Sequence, residues 1–332
     1  MRSHHPKPLP RNLPMPDSAV SPQRRVVISY QSHQGQYFTE RLDGTPLDML
    51  LIPSGSFMMG QTNAEREEII RLNEEKQYQE FFTDELPRHL VTVPSFFLGK
   101  YPITQVQWRV VANYPAIEQE LNADPSNFKG DNHPVEQVSW DDATEFCRRL
   151  SHYTGRTYCL PSEAEWEYAC RASPIAAETT STGDEVNDVC ISPPFHFGET
   201  ISDELANYCA EDREIDGISY KGSYGRGPIG QYRKETTEVG QFSANQFGLH
   251  DMYGNVWEWC EDDWHSNYEG APNDGSAWVD ADRKSIGRLL RGGSWDHVPV
   301  DCRSACRNVN SHDNRKNCIG FRVCCVSPRI FS

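Results

Sequence analysis

Short apolar runs separated by turn residues predict several strands in the first third of the chain. Residues 26–59 alternate loosely between apolar and polar types and are rich in β-branched and aromatic side chains. Within them, residues 49–53 and 55–60 indicate two short buried strands around a turn. Residues 89–101 show the same character, whereas the charged segment 62–82 is compatible with either a helix or a mobile loop.

Three helices have recognisable N-terminal signals. Thr104, Ser139 and Ser162 each precede apolar residues at helical spacing, and Glu165 completes a capping box with Ser162. Gly155 follows the second apolar stretch and predicts the end of that helix. The sequence therefore predicts three short amphipathic helices between residues 104 and 171.

The helical period ends near residue 175. From there to residue 290 the chain is rich in Gly, Asp, Asn and aromatic residues with short apolar pieces. Long irregular loops lose much conformational entropy when they order, so we expect hydrogen bonds, metal ions or packed aromatics to fix the turns. Residues 1–25 are rich in Pro and basic residues without a hydrophobic period, which predicts a disordered tail.

Composition narrows the possible functions. A net charge of -16 repels a phosphate backbone, so we expect no nucleic-acid partner. No apolar run approaches the ~18 residues of a membrane helix, so we expect no membrane span. Eleven cysteines occur without a secretory-type leader, which favours reduced thiols and a cytoplasmic location, although the sequence does not fix the location.

A series of motifs occurs in a fixed order along the chain. They occupy residues 52–60, 102–108, 134–143, 156–169, 248–259, 291–295 and 319–323. In this order the motifs resemble the sulfatase-modifying-factor family, whose founding members are formylglycine-generating enzymes. The resemblance covers residues 47–326 and implies an α+β, C-type-lectin fold of the formylglycine-generating-enzyme subtype. Such a domain is loop-rich, with short strands and a few helices, and residues 26–46 would form an N-terminal strand extension.

An acidic segment in the fifth motif suggests a metal. Asp251 and Glu258 are hard oxygen donors, and Gly254 allows the backbone to turn so that carbonyl oxygens can join them. The resemblance implies a calcium site formed by Asp251, the carbonyls of Gly254 and Val256, and Glu258. The alternative is an acidic turn that hydrogen bonds hold together.

The cysteine pattern departs from that of the family enzymes. Those enzymes oxidise a substrate cysteine with two copper-binding cysteines, the first of which lies three residues after a Gly-Gly-Ser motif. In this chain His297 occupies that position, and Cys302 and Cys306 have a different placement and spacing. The two thiols are either a displaced pair or buried structural cysteines. We therefore predict no catalytic residue, and copper is expected only under the oxidase alternative.

Residues 295–323 resemble a different branch of the family, the variable proteins of diversity-generating retroelements. Random change at adenines in Asn codons yields a restricted set of residue types, and these types alternate here with fixed ones such as Trp295, Ile319 and Phe321. An ordinary polar loop also contains such residues. The candidate ligand-binding residues are Asp296, His297, Val298, Val300, Asp301, Cys306, Asn308, Val309, Asn310, Ser311, His312, Asn314, Asn317 and Cys318.

The resemblance thus implies a non-catalytic protein that displays a diversified surface, residues 296–318, on a C-type-lectin scaffold. The expected ligand is a protein or other surface molecule, whose identity the sequence does not give. A copper-dependent formylglycine-generating oxidase is the alternative.

Two further expectations concern side chains around that surface. Fixed arginines at 303, 307 and 322 should anchor it through buried carboxylates. Four tryptophans, at 257, 259, 264 and 295, form either an aromatic floor or part of the core.

Overall fold

The computed structural model describes residues 35–173, 192–215, 217–281 and 287–326. The predicted tail, residues 1–25, lies outside these ranges. The helices are α1 Asn63–Phe81, α2 Gln105–Ala112, α3 Trp140–Thr154 and α4 Glu163–Arg171, with 3₁₀ turns at Thr83–Glu85 and Pro299–Cys302. The strands are β1 Tyr37–Leu42, β2 Thr45–Ile52, β3 Gly55–Met59, β4 His89–Val93, β5 Phe96–Gly99, β6 Tyr158–Cys159, β7 Arg213–Ile215, β8 Ile218–Tyr220, β9 Trp257–Asp263, β10 Gly287–Arg291, β11 Arg307–Ser311, β12 Ile319–Gly320 and β13 Cys324–Cys325.

A five-stranded antiparallel sheet carries both ends of the described chain. Its order is β1-β2-β5-β13-β6, so the C-terminal strand β13 lies between strands from the first half of the chain. The first strand pairs with the second along six residue pairs and is an integral part of this sheet. Two further two-stranded sheets, β3-β4 and β7-β8, are separate from it.

A four-stranded sheet holds the segment that the sequence marked as variable. Its order is β11-β10-β9-β12, with β12 parallel to β9 and the other neighbours antiparallel. Strand β11 is therefore an edge strand, and its five residues pair continuously with β10 from Arg307 opposite Arg291 to Ser311 opposite Gly287. The sheet places residues 307–311, part of the segment predicted to vary, at one of its edges.

The three predicted helix starts are confirmed. Thr104, Ser139 and Ser162 each cap a helix, and each cap forms a complete capping box. Gly155 ends α3 in the left-handed conformation. The charged segment 62–82 is a helix as well, interrupted at Glu74, where φ is 64°.

Two clusters of buried side chains form the core. One includes Trp166 and the strands β3 and β4, and the other joins Trp108, Phe146 and Phe321 in stacked and edge-on ring contacts. Trp295, Ile319 and Phe321 all point inward, as the sequence predicted. In the parts of the chain that the structure describes, no helix is long and apolar enough to cross a membrane.

Hydrogen bonds fix the irregular region, as expected. The Asn255 side chain accepts a hydrogen bond from the Thr237 amide at 2.9 Å and donates one to the Thr237 carbonyl at 3.1 Å. Its carbonyl oxygen also accepts from the Asn207 side chain at 3.2 Å. One buried amide thus joins three loop segments far apart in sequence. The ten cysteines within the described ranges are all unpaired.

Candidate ligand-binding groove

Buried arginines anchor the variable segment. Arg303 donates to both oxygens of Glu85, at 2.6 and 2.9 Å, and forms an ion pair with Glu65 at 3.3 Å. The Arg303 Nε also donates to the Val300 carbonyl at 2.9 Å. All three charged side chains are almost fully buried, so this cluster ties the 3₁₀ turn at Pro299–Cys302 to α1 and the turn after it.

Two further arginines have the same role. Arg307 binds both oxygens of Glu163, at 2.7 and 3.1 Å, and Arg322 binds both oxygens of Glu258, at 2.7 and 2.6 Å. The prediction that these arginines use buried carboxylates is therefore confirmed. Bidentate pairs of this kind fix the orientation as well as the position of the guanidinium.

Gly293 brings two parts of the segment together closely. Its φ of 73° is a left-handed conformation, and a Cβ atom there would lie 2.4 Å from the Cys302 Sγ. Only glycine satisfies both conditions without displacement of the backbone. Cys302 is consequently packed under the Gly-Gly-Ser turn in the protein interior.

A groove of about 650 Å³ opens beside these anchors. Its size is within the usual range for ligand sites. Eight of the fourteen candidate residues line it: Asp296, His297, Val298, Val300, Asp301, Cys306, Asn308 and Val309. The structure therefore brings eight of the sequence-based candidates to one concavity. The prediction of exposure is wrong for Val298, Val300 and Cys306, whose side chains are buried in the core.

The other six candidates lie elsewhere. Asn310 and Ser311 continue along β11, and the Asn314 side chain donates to Asn310 Oδ1 at 2.7 Å. His312 Nδ1 lies 2.7 Å from an oxygen of Asp141 at the start of α3. Asn317 is half-buried beside Trp295, and Cys318 is packed in the core. These residues form a second, adjoining patch, with Cys318 beneath it.

Side chains that sequence reasoning did not identify form the opposite wall. The end of α1 and the turn that follows it contribute Asn73, Gln77, Glu80, Phe81, Phe82, Thr83 and Asp84. The β7-β8 hairpin contributes Arg213, Ile215 and Tyr220. The sequence of α1 indicates only a charged and therefore exposed helix, and this property does not predict a ligand site.

Only two of the four tryptophans considered for an aromatic floor line the groove. Trp257 and Trp264 line the groove, whereas Trp259 and Trp295 pack in the core. The Arg307 guanidinium lies over the Trp264 ring, 4.8 Å from its centroid. The groove thus has an apolar base beside charged walls.

Two polar residues at the groove are held by the fold. Arg213 donates to Asp296 Oδ1 at 2.9 Å, and the Tyr232 hydroxyl donates to the same oxygen at 2.6 Å. His297 Nδ1 lies 2.7 Å from the Ser294 hydroxyl, and burial lowers the pKa of His297 to about 4. The imidazole is consequently neutral at pH 7 and contributes no charge to the groove.

Two groove carboxyls have raised pKa values. Burial raises the pKa of Asp84 to about 7, with a contribution from Glu85 and opposition from Arg307. Burial likewise raises the pKa of Asp301 to about 7, opposed by Arg303 and reinforced by Glu85. Both carboxyls therefore change their charge near neutral pH.

The two cysteines of the segment are poor candidates for a copper centre. Burial raises the pKa of both the Cys302 and the Cys306 thiol well above the ordinary value. Copper(I) binds thiolates, and reactive thiolates need an electropositive, accessible setting. With His297 at the first cysteine position of the enzymes, the residues present do not fit a two-thiolate site.

The predicted calcium loop has one feature that fits a cation and one that does not. Asp251 Oδ2 accepts from the Gly240 amide at 2.7 Å, while its buried Oδ1 has no hydrogen-bond partner among the described residues. Burial raises the pKa of Asp251 to about 6. The carboxylate of Glu258, however, already binds Arg322 and the Trp166 indole. Asp251 therefore fits an added cation better than Glu258 does.

Comparison with known proteins agrees with this architecture. Residues 36–326 match the family model described as the sulfatase-modifying factor enzyme 1-like domain. The formylglycine-generating enzyme of Mycobacterium tuberculosis is 27% identical, over 85% of this chain and 98% of its own. The structure of PvdO from Pseudomonas aeruginosa, 28% identical, superposes with a TM-score of 0.63 over 90% of this chain and 100% of its own.

A variable protein gives a further structural match. Treponema denticola variable protein 1 superposes with a TM-score of 0.60 over 88% of this chain and 99% of its own. At 19% identity this likeness concerns the fold, and it confirms the α+β, C-type-lectin architecture of the formylglycine-generating-enzyme subtype. The chain belongs to the sulfatase-modifying factor enzyme 1-like family.

Proposed function

We propose that this protein binds a ligand without transforming it, and that the groove beside β11 is the contact surface. The single observation that carries the proposal is the convergence of eight variable-type residues on one cavity. In sequence these residues are interleaved with fixed ones, yet they meet around the same space. A segment that served only as a surface loop has no reason to concentrate these positions in a concavity.

The contrast between anchoring side chains and exposed side chains in this segment supports the proposal. Arg303 and Arg307 hold the segment through carboxylates elsewhere in the chain, whereas Asn308 is only partly buried and Val309 is exposed on the edge strand β11. The Val309 side chain, for example, is 38% exposed. Residues of the second kind can change without loss of the core, and a rigid scaffold still positions whatever replaces them.

A library experiment tests the proposal directly. The five groove positions outside the core, Asp296, His297, Asp301, Asn308 and Val309, would be randomised with the arginine anchors and the buried Val298, Val300 and Cys306 unchanged. The library would be displayed and selected against a purified protein such as hen egg-white lysozyme. We expect folded variants and specific binders that lose binding when their groove residues are reverted. A control library would randomise five exposed positions on α1 away from the groove. Equal success of the control, or general unfolding of the groove library, would contradict the proposal.

The genomic setting tests the origin of the surface. If the segment is diversified by a retroelement, the neighbouring DNA should encode a reverse transcriptase. It should also contain a near-copy of codons 295–318 that differs at adenines. A locus with neither feature would remove this part of the proposal but would leave ligand binding to be judged by the library.

The copper-dependent oxidase is the second candidate, because the formylglycine-generating enzyme of Mycobacterium tuberculosis aligns with this chain over 98% of its own length. The geometry supports it less well, since Cys302 is packed against Gly293 and His297 replaces the first thiol. A sulfatase-derived cysteine peptide incubated with the copper-loaded protein would decide between the two. We expect no mass change consistent with formylglycine, and a change that disappears in Cys302→Ser or Cys306→Ser would establish the oxidase.

We also propose that calcium binds at the turn after His250, with Asp251 as its carboxylate ligand. The buried, unpartnered Asp251 oxygen supports this proposal. Gly254 and Val256 would contribute backbone carbonyls. Glu258 would join only through lone pairs that Arg322 leaves available. The ion would stabilise the loop that precedes the first residue of β9.

A further inference from the structure

The charges that face the groove do not balance. Its two cationic side chains are Arg213 and Arg307. Arg213 is paired with Asp296, and Arg307 is paired with Glu163 and donates to the carbonyls of Asp84 and His265. Each guanidinium is therefore hydrogen-bonded to a carboxylate other than Asp84 or Asp301.

Carboxylates at the groove lack such partners. Within the described ranges no arginine, lysine or histidine forms an ion pair with Glu80, Asp84 or Asp301 at 4.0 Å or less, and the buried Oδ1 of Asp84 accepts no hydrogen bond. Both Asp84 and Asp301 contribute to the raised pKa of the Cys306 thiol, behind burial and Glu85. Asp84, Asp301 and Cys306 all line the same groove.

Apolar surface adjoins these carboxylates. Trp264 is only partly buried and lines the groove, and the edges of the buried Trp257, Val300 and Phe82 side chains complete its apolar lining. A cation on a hydrocarbon stem satisfies both parts of such a site, since the stem packs on the rings while the charged head reaches the carboxylates.

We infer that the groove accepts a lysine or arginine side chain of a partner protein, with its charged head at Asp84 and Asp301 and its stem against Trp264. This inference rests on the proposed function and adds the chemical class of the ligand. Charge complementarity selects the occupant, since the chain as a whole carries a net charge of -16.

The same site has a predictable response to pH. The charges of Glu85, Glu163, Arg307 and Arg291 influence the pKa of Asp84, and those of Arg303 and Glu85 influence the pKa of Asp301. A bound cation favours the ionised form of both aspartates and so lowers their pKa values from about 7. Binding should therefore release protons near neutrality and should strengthen as the pH rises from about 6 to about 8.

A matched pair of probes tests the inference. N-acetyl-arginine methylamide would be titrated into the full chain by isothermal calorimetry at pH 6 and pH 8. The control probe is N-acetyl-citrulline methylamide, which has nearly the same shape but no charge. We expect millimolar affinity for the arginine probe, at least tenfold weaker binding of the citrulline probe, and proton release in buffers of different ionisation enthalpy.

Variants locate the effect. Asp84→Asn and Asp301→Asn should each weaken the arginine probe by about tenfold, and Asp313→Asn, on an exposed turn outside the groove, should not. Unchanged melting temperatures would show that the variants are folded. Equal binding of both probes, no binding of the arginine probe, or no effect of the two groove variants would overturn the inference. If selected library binders occupied the groove through neutral or acidic groups, the inference would fail while the proposed function would stand.

Discussion

Loss of the Arg303 guanidinium should be the most damaging single change near the groove. Arg303→Met keeps most of the side-chain volume but removes two hydrogen bonds to Glu85, the ion pair with Glu65 and the bond to the Val300 carbonyl. Glu85 and Glu65, both buried, would then lose the arginine with which they form ion pairs. Breaking a buried pair in this way costs about 3–5 kcal/mol, out of a total stability of about 5–15 kcal/mol for a typical domain.

Protonation should limit that loss at low pH. Burial already raises the pKa of Glu85, and removal of Arg303 would raise it further. A carboxyl whose folded pKa exceeds its unfolded value contributes its stability at low pH and loses it as pH rises through the folded pKa. The cost of Arg303→Met should therefore be smaller at pH 5 than at pH 8.

Urea unfolding followed by tryptophan fluorescence at pH 5 and pH 8 measures both effects. Arg315→Met is the matched control, because Arg315 pairs with Asp142 at 2.7 Å but its side chain is about half exposed. The control should cost no more than about 1 kcal/mol. A loss below about 1 kcal/mol for Arg303→Met, or an equal loss at both pH values, would refute the argument from buried charge.

Three other outcomes are expected. Calcium should raise the melting temperature by several degrees, and both chelator and Asp251→Asn should abolish the rise. A melting temperature that chelator leaves unchanged would exclude the site. Burial raises the pKa values of Glu136 and Glu165 to about 7, above their unfolded values, so thermal stability should fall between pH 5 and pH 8; a flat or rising profile would be inconsistent with this. Asn308→Ala with Val309→Ala should leave the melting temperature within about 2 °C while abolishing binding of a groove-selected ligand; simultaneous unfolding would assign these residues to the fold instead.

Local signals in the sequence predicted the elements that local interactions determine. The capping boxes at Thr104, Ser139 and Ser162 each join residues three positions apart. The helix starts could therefore be identified without knowledge of any tertiary contact. The same holds for Gly155, whose left-handed conformation needs no distant partner. The arginine anchors were also expected, because a fixed arginine among variable residues needs a buried acid.

Distant partners account for what could not be predicted. Arg303 and Glu85 are 218 residues apart, and neither segment carries a local signal that predicts this pairing. The groove wall from α1 and the β7-β8 hairpin depends on such pairings, so no periodicity reveals it. Trp257 and Trp259 are both almost fully buried, yet only Trp257 borders the groove, a difference that hydrophobicity alone does not encode.

The continuous pairing of β11 with β10 restricts the kind of change that the segment can accept. Each residue from Arg307 to Ser311 has a fixed partner, so replacement of one side chain leaves the ladder intact. Insertion or deletion of one residue would instead slip the strand and turn every following side chain to the opposite face. Arg307 would then lose Glu163 if the slip began before it. The segment can therefore vary widely in composition while its length stays constant.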